Sequence, residues 1–312
     1  MYNIIMKNPF ALTIFLNVLL VWHGSLKAEV ENYKADICVY GGTASGVMAA
    51  LAAEKEGSTV ILIEPTRCLG GMTGGGINHL DWGKGETVGG STYKILMEGL
   101  KDQKRAHGGH AKYGIGNKQY RERFKKLVKD RGITVIYDHR VGKVQVGDVT
   151  INKPTREQPI ALGEKIVSKN KNNFIQSIIL DYAPVDETGC PIPVPKKRNV
   201  IAVSAKVFID CSYEGDILGM SGVRYTWGRE SREHYDESLA GVRPSLWIHD
   251  IDPYVEPGNA ESGLVPFVQD RKIGPLGSAD SLTMGYCFRH EFDMSGKGIP
   301  IPEPTNYDPA EF

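Results

Sequence analysis

Residues 36–65 read DICVYGGTASGVMAALAAEKEGSTVILIEP, and they constrain the fold of this chain more than any other segment. The order is a short apolar strand, a glycine turn, an alanine-rich helix, a second apolar strand and an acidic residue. Continuous apolar runs this short are typical of strands buried in a parallel sheet. The segment therefore predicts a βαβ unit, of the kind whose glycine turn binds a dinucleotide. An ordinary βαβ crossover with a glycine turn is the alternative.

Four residues of this unit are expected to shape the turn or to bind the dinucleotide. Gly41 and Gly42 allow a tight turn without the steric cost of a Cβ atom, and Gly46 lets the helix lie close to the strand. The helix start then directs free N–H groups at a pyrophosphate. Glu64, after the second strand, stands where a carboxylate takes the ribose hydroxyls.

Position 43 departs from the G-x-G-x-x-G pattern, because the chain has Thr43 where the middle glycine is expected. A side chain here could hinder the approach of the backbone to the pyrophosphate. It could equally turn its hydroxyl toward the phosphate as an added donor. Both alternatives stay open from the residues alone.

Composition narrows the class of protein. The chain has 312 residues, with 37 Lys and Arg against 37 Asp and Glu. No basic stripe is present, so nucleic acid is not an expected partner. The five cysteines include no C-x-x-C pair, which argues against a disulfide framework or an iron–sulfur site. No metal site is predicted, since His107 and His110 have no carboxylate or thiolate close by.

Residues 1–28 have the features of a secretory signal peptide. Lys7 supplies a positive start, and residues 10–22 are an apolar run too short to span a bilayer as a helix. Small residues follow, with cleavage expected after Ala28. The expected location is therefore periplasmic or secreted, with no stable membrane span after cleavage. An uncleaved membrane anchor is the alternative.

The remaining chain suggests two domains. A second glycine-rich segment, residues 67–76, follows the βαβ unit, and a helix is predicted at about residues 118–130. Short β-branched runs at about residues 141–209 predict an antiparallel meander that returns to the main sheet. We place the first domain at residues 29–226 and the beginning of a second, α+β domain at residues 227–312. Strands are predicted at residues 133–137, 143–149, 175–180, 200–203 and 206–209.

Three features together resemble a known family. They are the βαβ unit ending at Glu64, the pair Gly70–Gly71, and residues 207–222, which read VFIDCSYEGDILGMSG. In these the chain resembles FAD-dependent oxidoreductases of the glutathione-reductase-like fold. Exported bacterial members, some related to the flavin subunit of heterodisulfide reductases, are the most similar group. The resemblance implies an α/β fold, a Rossmann-like FAD-binding domain with a parallel sheet, an antiparallel β-meander and a substrate domain.

The same resemblance implies a set of cofactor-binding residues. Some would hold the pyrophosphate and the adenosine ribose, others would lie along the ribityl and phosphate region, and a last group would approach the cofactor from the other side. In that order they are Gly41, Gly42, Thr43, Gly46 and Glu64; then Gly70, Gly71 and Thr73; then Asp210, Gly215 and Asp216.

Candidate catalytic residues lie at three further positions. His79 and Asp81 follow the second glycine cluster, where the chain is expected to pass the flavin, and His79 could act as a general acid or base. Arg289 follows a predicted strand and could bind a substrate carboxylate through two parallel hydrogen bonds. Structural histidines and an exposed strand face explain the same residues without catalysis.

The expected activity is hydride transfer between a small-molecule substrate and flavin. Family members normally close the FAD site with a later glycine-containing helix, and no such segment is found before residue 312. We therefore expect a fragment of a longer enzyme. The alternatives are a flavin- or nucleotide-binding module without turnover and an NAD-dependent dehydrogenase. The substrate and the oligomeric state are left open.

Overall fold

A computed structural model gives the architecture of the protein. It describes residues 30–75, 90–91, 117–153, 174–187, 189–244, 251–266, 268–271, 273–282, 296–297, 300, 303 and 307–309. The chain divides into two compact units, Met1–Val223 and Arg224–Phe312. Each unit is described by itself below.

The first unit is built on a seven-stranded mixed sheet flanked by helices. The strand order is β3-β2-β1-β7-β6-β4-β5. The strands are β1 (Glu31–Tyr40), β2 (Val60–Glu64), β3 (Thr134–Tyr137), β4 (His139–Val146), β5 (Val149–Asn152), β6 (Ile175–Tyr182) and β7 (Lys197–Asp210), and the helices are α1 (Ala44–Lys55), α2 (Gly71–Gly74) and α3 (Asn117–Asp130).

Strands β3, β2, β1 and β7 run parallel to one another. Tyr40 is paired with Ile63 of β2 and with Asp210 of β7, and Glu64 is paired with Tyr137 of β3. The carboxyl ends of the four strands therefore lie at one edge of the sheet. In open α/β sheets this edge is where ligands bind.

Strands β7, β6, β4 and β5 are antiparallel and form the predicted meander. Two predicted boundaries were wrong. The strand expected at residues 143–149 ends at Val146, because the chain turns at Gly147 and Asp148 and returns as β5. The two strands expected at residues 200–203 and 206–209 are one continuous strand, β7, which pairs with β6 on one side and β1 on the other.

Two apolar clusters cover the two faces of this sheet. The cluster on the α1 side includes Val39, Val47 and Leu62, with Tyr120 and Phe124 of α3 packed against them. The opposite cluster lies against the meander. Its buried members are Ala35, Cys38, Tyr40, Ile61, Ile63, Ile136, Val141, Val144, Val146, Ile178, Leu180, Ile201, Val203, Ile217 and Met220.

The second unit is small in its described part. It contains the short helix α4 (Arg232–Tyr235) and the antiparallel pair β8 (Tyr254–Glu256) and β9 (Asn259–Leu264). Arg229 and Asp280 form an ion pair and exchange backbone hydrogen bonds. In the part of the chain that the structure describes, no helix is long and apolar enough to cross a membrane.

Candidate dinucleotide site

The β1–α1 turn, residues Gly41–Thr43, lies at the carboxyl edge of the parallel strands. Thr43 is the N-cap of α1, with extended backbone, and its hydroxyl accepts the Gly46 N–H at 3.2 Å. The same hydroxyl donates to the Cys211 carbonyl at 2.9 Å. It also lies 2.9 Å from the Ser45 hydroxyl, so its one proton has two acceptors within the chain. The Thr43 side chain thus joins α1 to the end of β7.

The glycines of the turn are required by the backbone that surrounds them. A Cβ at Gly46 would overlap the Gly41 carbonyl oxygen, so the helix could not approach the strand as closely. Gly41 has φ of +92°, and a Cβ there would meet the backbone of Cys211 and Ser212. These contacts confirm the packing role predicted for Gly46, and they place the loop after β7 directly against the turn.

Glu64 is buried beside Gly42 at the end of β2. Its Oε2 accepts the Gly42 N–H at 2.8 Å, and its Oε1 accepts the Thr66 N–H and hydroxyl at 2.7 and 2.5 Å. Burial raises the pKa of Glu64, although the hydrogen bonds from Thr66 and Gly42 oppose this, and the charge of Glu214 raises it further. A carboxylate offers about four acceptor positions, so Oε2 retains the capacity to accept a ribose hydroxyl.

Gly70 and Gly71 lie beside the β1–α1 turn. Thr43 forms a parallel bridge with Gly70, and the Gly70 N–H donates to the Gly42 carbonyl at 2.7 Å. Gly70 and Gly71 have φ of +99° and +52°. Helix α2 starts from this left-handed pair, and Thr73 lies within it.

Asp210, the last residue of β7, holds the following loop closed. Its Oδ1 accepts the N–H and the hydroxyl of Ser212 at 3.0 and 2.7 Å. Its Oδ2 accepts the N–H groups of Ile217 and Leu218, each at 2.8 Å. All four donors belong to the loop itself, which includes Gly215 at φ of +65°. The carboxylate therefore shapes the loop that faces Gly41.

Asp216 connects this loop to the rest of the sheet. One carboxylate oxygen pairs with Lys153 at 2.8 Å, and the other accepts the Tyr40 hydroxyl at 3.1 Å. That hydroxyl is fully buried and also accepts the Val141 N–H at 3.1 Å. Burial and the charge of Asp216 raise the pKa of Tyr40 well above its ordinary value. The loop, the meander and β1 thus meet at one buried phenol.

The electrostatics of α1 suit an anion at its start. The first turn of α1 contains no acidic residue, and Lys55 lies in its last turn. A helix N-terminus has partial positive charge and N–H groups without intrahelical partners. Because this end of α1 meets the carboxyl edge of β1, its partial positive charge suits a pyrophosphate at that edge.

The structure places Gly41, Gly42, Thr43, Glu64 and the Gly70–Gly71 pair next to one another at the carboxyl edge, and their roles in cofactor binding remain predictions. His79, Asp81 and Arg289 lie outside the described residues, as do residues 1–28, so the catalytic roles and the signal peptide remain predictions.

The sequence analysis did not predict a role for Tyr40, Lys153 or Tyr213. The available signal for Tyr213 was its place in the SYEGD run between two selected aspartates. Among the described residues, no group of three or more His, Cys, Asp or Glu could hold a metal ion.

The fold and the site define a dinucleotide-binding α/β domain, with its ligand edge at the carboxyl ends of four parallel strands. The family model for FAD dependent oxidoreductases matches residues 36–169 and 170–312. The chain belongs to this family, whose cofactor is FAD and whose chemistry is flavin-linked oxidation and reduction. No curated protein matches the chain.

Several solved structures are similar to part of the chain. Thermovibrio ammonificans THI4 is 14% identical with a TM-score of 0.39, over 73% of this chain and 76% of that one. L-proline dehydrogenase from P. horikoshii is 14% identical with a TM-score of 0.30, over 65% of this chain and 24% of that one. A geranylgeranyl bacteriochlorophyll reductase-like protein from Thermoplasma acidophilum is 14% identical with a TM-score of 0.32, over 62% and 43%. The matched region thus spans less than half the length of two of these three proteins.

Proposed function

We propose that this chain is an FAD-dependent oxidoreductase that transfers a hydride between a small-molecule substrate and flavin. The observation that carries the proposal is the match to the FAD dependent oxidoreductase family across residues 36–312. The geometry at the carboxyl edge supports it, because the start of α1, Glu64 and the Gly70–Gly71 pair converge there.

The residues present fit the adenosine diphosphate half of FAD. The start of α1 offers partial positive charge for the pyrophosphate. Glu64 Oε2 has one protein donor at 2.8 Å, which leaves it able to accept a ribose hydroxyl. Gly41 and Gly42 are required by packing within the protein, since a Cβ at either position would collide with neighbouring protein atoms.

The chain contributes positioning rather than the redox chemistry itself. FAD, when bound, supplies the isoalloxazine ring that accepts or releases the hydride. The Thr43 hydroxyl holds the start of α1 against the end of β7 through Cys211. Asp210 and Asp216 hold the neighbouring loop in place through six hydrogen bonds and one ion pair within the chain, so the edge is preorganised before a ligand arrives.

An absorption spectrum of the purified full chain tests the cofactor. We expect flavin bands that remain with the protein through gel filtration after incubation with FAD. Binding of NADH with no flavin binding would favour the nicotinamide-dependent alternative. A flavin-loaded protein that no candidate donor reduces would favour the binding module without turnover.

We also propose export to the periplasm or the cell exterior, on the signal-like composition of residues 1–28. A carbohydrate or organic acid is the substrate class that we propose, from that compartment alone. Mass spectrometry of the protein recovered from the producing cell tests export. A mature N-terminus at Glu29 supports it, and an intact Met1 in the cytoplasm contradicts it.

A further inference from the structure

Tyr213 is an exposed residue whose hydroxyl nevertheless makes a hydrogen bond to a distant segment of the chain. Its side chain is 58% exposed, yet its hydroxyl accepts the Met72 N–H at 2.8 Å. Tyr213 follows β7, whereas Met72 lies in α2. The phenol therefore crosses from the loop after β7 to the Gly70–Gly71 segment, over the edge where the ligand is expected.

The hydroxyl lies directly beside the β1–α1 turn. A Cβ added to Gly71 would collide with the Tyr213 hydroxyl and would stand 3.3 Å from the Thr43 Cα. The hydroxyl thus occupies the space between Thr43, the N-cap of α1, and Gly71. A side chain at Gly71 would close that space, and glycine keeps it open for the phenol oxygen.

The hydrogen-bonding capacity of this hydroxyl is only partly used. A phenol has one proton to donate and can also accept. Among the described residues the Tyr213 hydroxyl accepts from Met72 and donates to no protein acceptor. A hydroxyl that accepts a hydrogen bond becomes a stronger donor. Its proton is therefore available to an acceptor at the start of α1.

We propose that Tyr213 is a cofactor-binding residue, whose hydroxyl donates a hydrogen bond to a pyrophosphate oxygen of FAD. This rests on the proposed function, since it assigns a donor to the same cofactor. The Thr43 hydroxyl differs from that of Tyr213, because its proton has acceptors within the chain, the Cys211 carbonyl and the Ser45 hydroxyl, each at 2.9 Å. The tyrosine at position 213 thus takes the donor role that the sequence pattern offered to Thr43.

Tyr213→Phe in the full chain tests the proposal by removing one oxygen from an exposed side chain. We expect FAD affinity, measured by quenching of flavin fluorescence, to fall about tenfold, as for a lost hydrogen bond to a charged group. ADP binding should weaken similarly and adenosine binding should not change, since adenosine has no phosphate. Unchanged or tighter binding of FAD and ADP by the variant would overturn the proposal.

The matched control is Tyr235→Phe, at a tyrosine that is 62% exposed and lies in α4 of the second unit. This variant should bind FAD as the wild type does. If the wild type binds no FAD, the proposed function fails. If the wild type binds FAD and Tyr213→Phe binds it equally well, only the role of Tyr213 fails.

Chemical protection in the wild-type protein gives a second measurement that needs no variant. Tetranitromethane nitrates exposed tyrosines, and peptide mapping locates the modified positions. ADP should protect Tyr213 while leaving Tyr235 reactive, and adenosine should protect neither. Equal nitration of Tyr213 with and without ADP, under conditions where ADP is bound, would contradict the proposal.

Discussion

The β1–α1 turn and the loop after β7, residues 211–218, touch each other at the ligand edge but are held in opposite ways. The turn is held by close contacts that leave no room for a Cβ. Backbone atoms crowd Gly41 and Gly46, and the side chains of Leu69 and Glu64 crowd Gly42. The loop is held by side chains, chiefly the Asp210 carboxylate with its four donors. One half of the site is therefore sensitive to added atoms, and the other half is sensitive to removed atoms.

Gly46→Ala is the change with the largest expected effect, because the added methyl overlaps the Gly41 carbonyl oxygen. We expect a loss of about 3 kcal/mol in the free energy of unfolding, measured by urea denaturation. Gly219→Ala is the matched control, since a Cβ there meets nothing within 4 Å. Equal stability of the two variants would show that the turn can yield to added atoms.

Asp210→Ala tests the loop by removing atoms. Four donors lose their acceptor, and we expect a loss of about 2–3 kcal/mol in unfolding free energy. Asp130→Ala removes a carboxylate of the exposed pair with Lys126 and should cost less than about 0.5 kcal/mol. If Asp210→Ala were as mild as this control, the loop would not depend on its side chains.

Tyr40→Phe probes the point where the loop, the meander and β1 meet. Removal of the buried hydroxyl leaves the Val141 N–H without its acceptor, and we expect a loss of about 1–2 kcal/mol. The control is Tyr33→Phe in the same strand, whose hydroxyl bonds Glu31 at an exposed position. Urea denaturation of both variants measures the difference, and a larger loss for Tyr33→Phe would contradict this account.

The smallest expected effect is the change in unfolding free energy with pH that the ionisation of Glu64 causes, and the direction of this change can be stated. Because burial raises its folded-state pKa, the native state binds more protons than the unfolded state between pH 4.5 and that raised value. Its contribution to stability is therefore fully present below pH 4.5 and is lost as the pH rises through the folded pKa. Wild type should lose stability relative to Glu64→Gln across this interval. A relative gain with rising pH would mean that the hydrogen bonds from Thr66 and Gly42 outweigh burial.

Much of the fold followed from local pattern. The βαβ unit was predictable because its strands, turn and helix are adjacent in sequence and each has its own periodicity. The meander was recognisable from its β-branched runs, but its boundaries were not. A turn at Gly147 and the continuity of β7 depend on which strands pair, and pairing is set by contacts between distant residues.

In the site too, some features follow from local sequence and others depend on contacts between distant residues. The βαβ pattern in the sequence predicted that Gly41, Gly42 and Glu64 lie at the edge, and the family resemblance implied the Gly70–Gly71 pair and Asp210. The partners of each side chain there become visible in the folded chain alone. Thr43 bonds Cys211, Tyr213 bonds Met72 and Asp216 pairs with Lys153, each across a separation in sequence that no local pattern encodes. The physical reason is that a hydroxyl or carboxylate takes its role from the partner within about 3 Å, and folding chooses that partner.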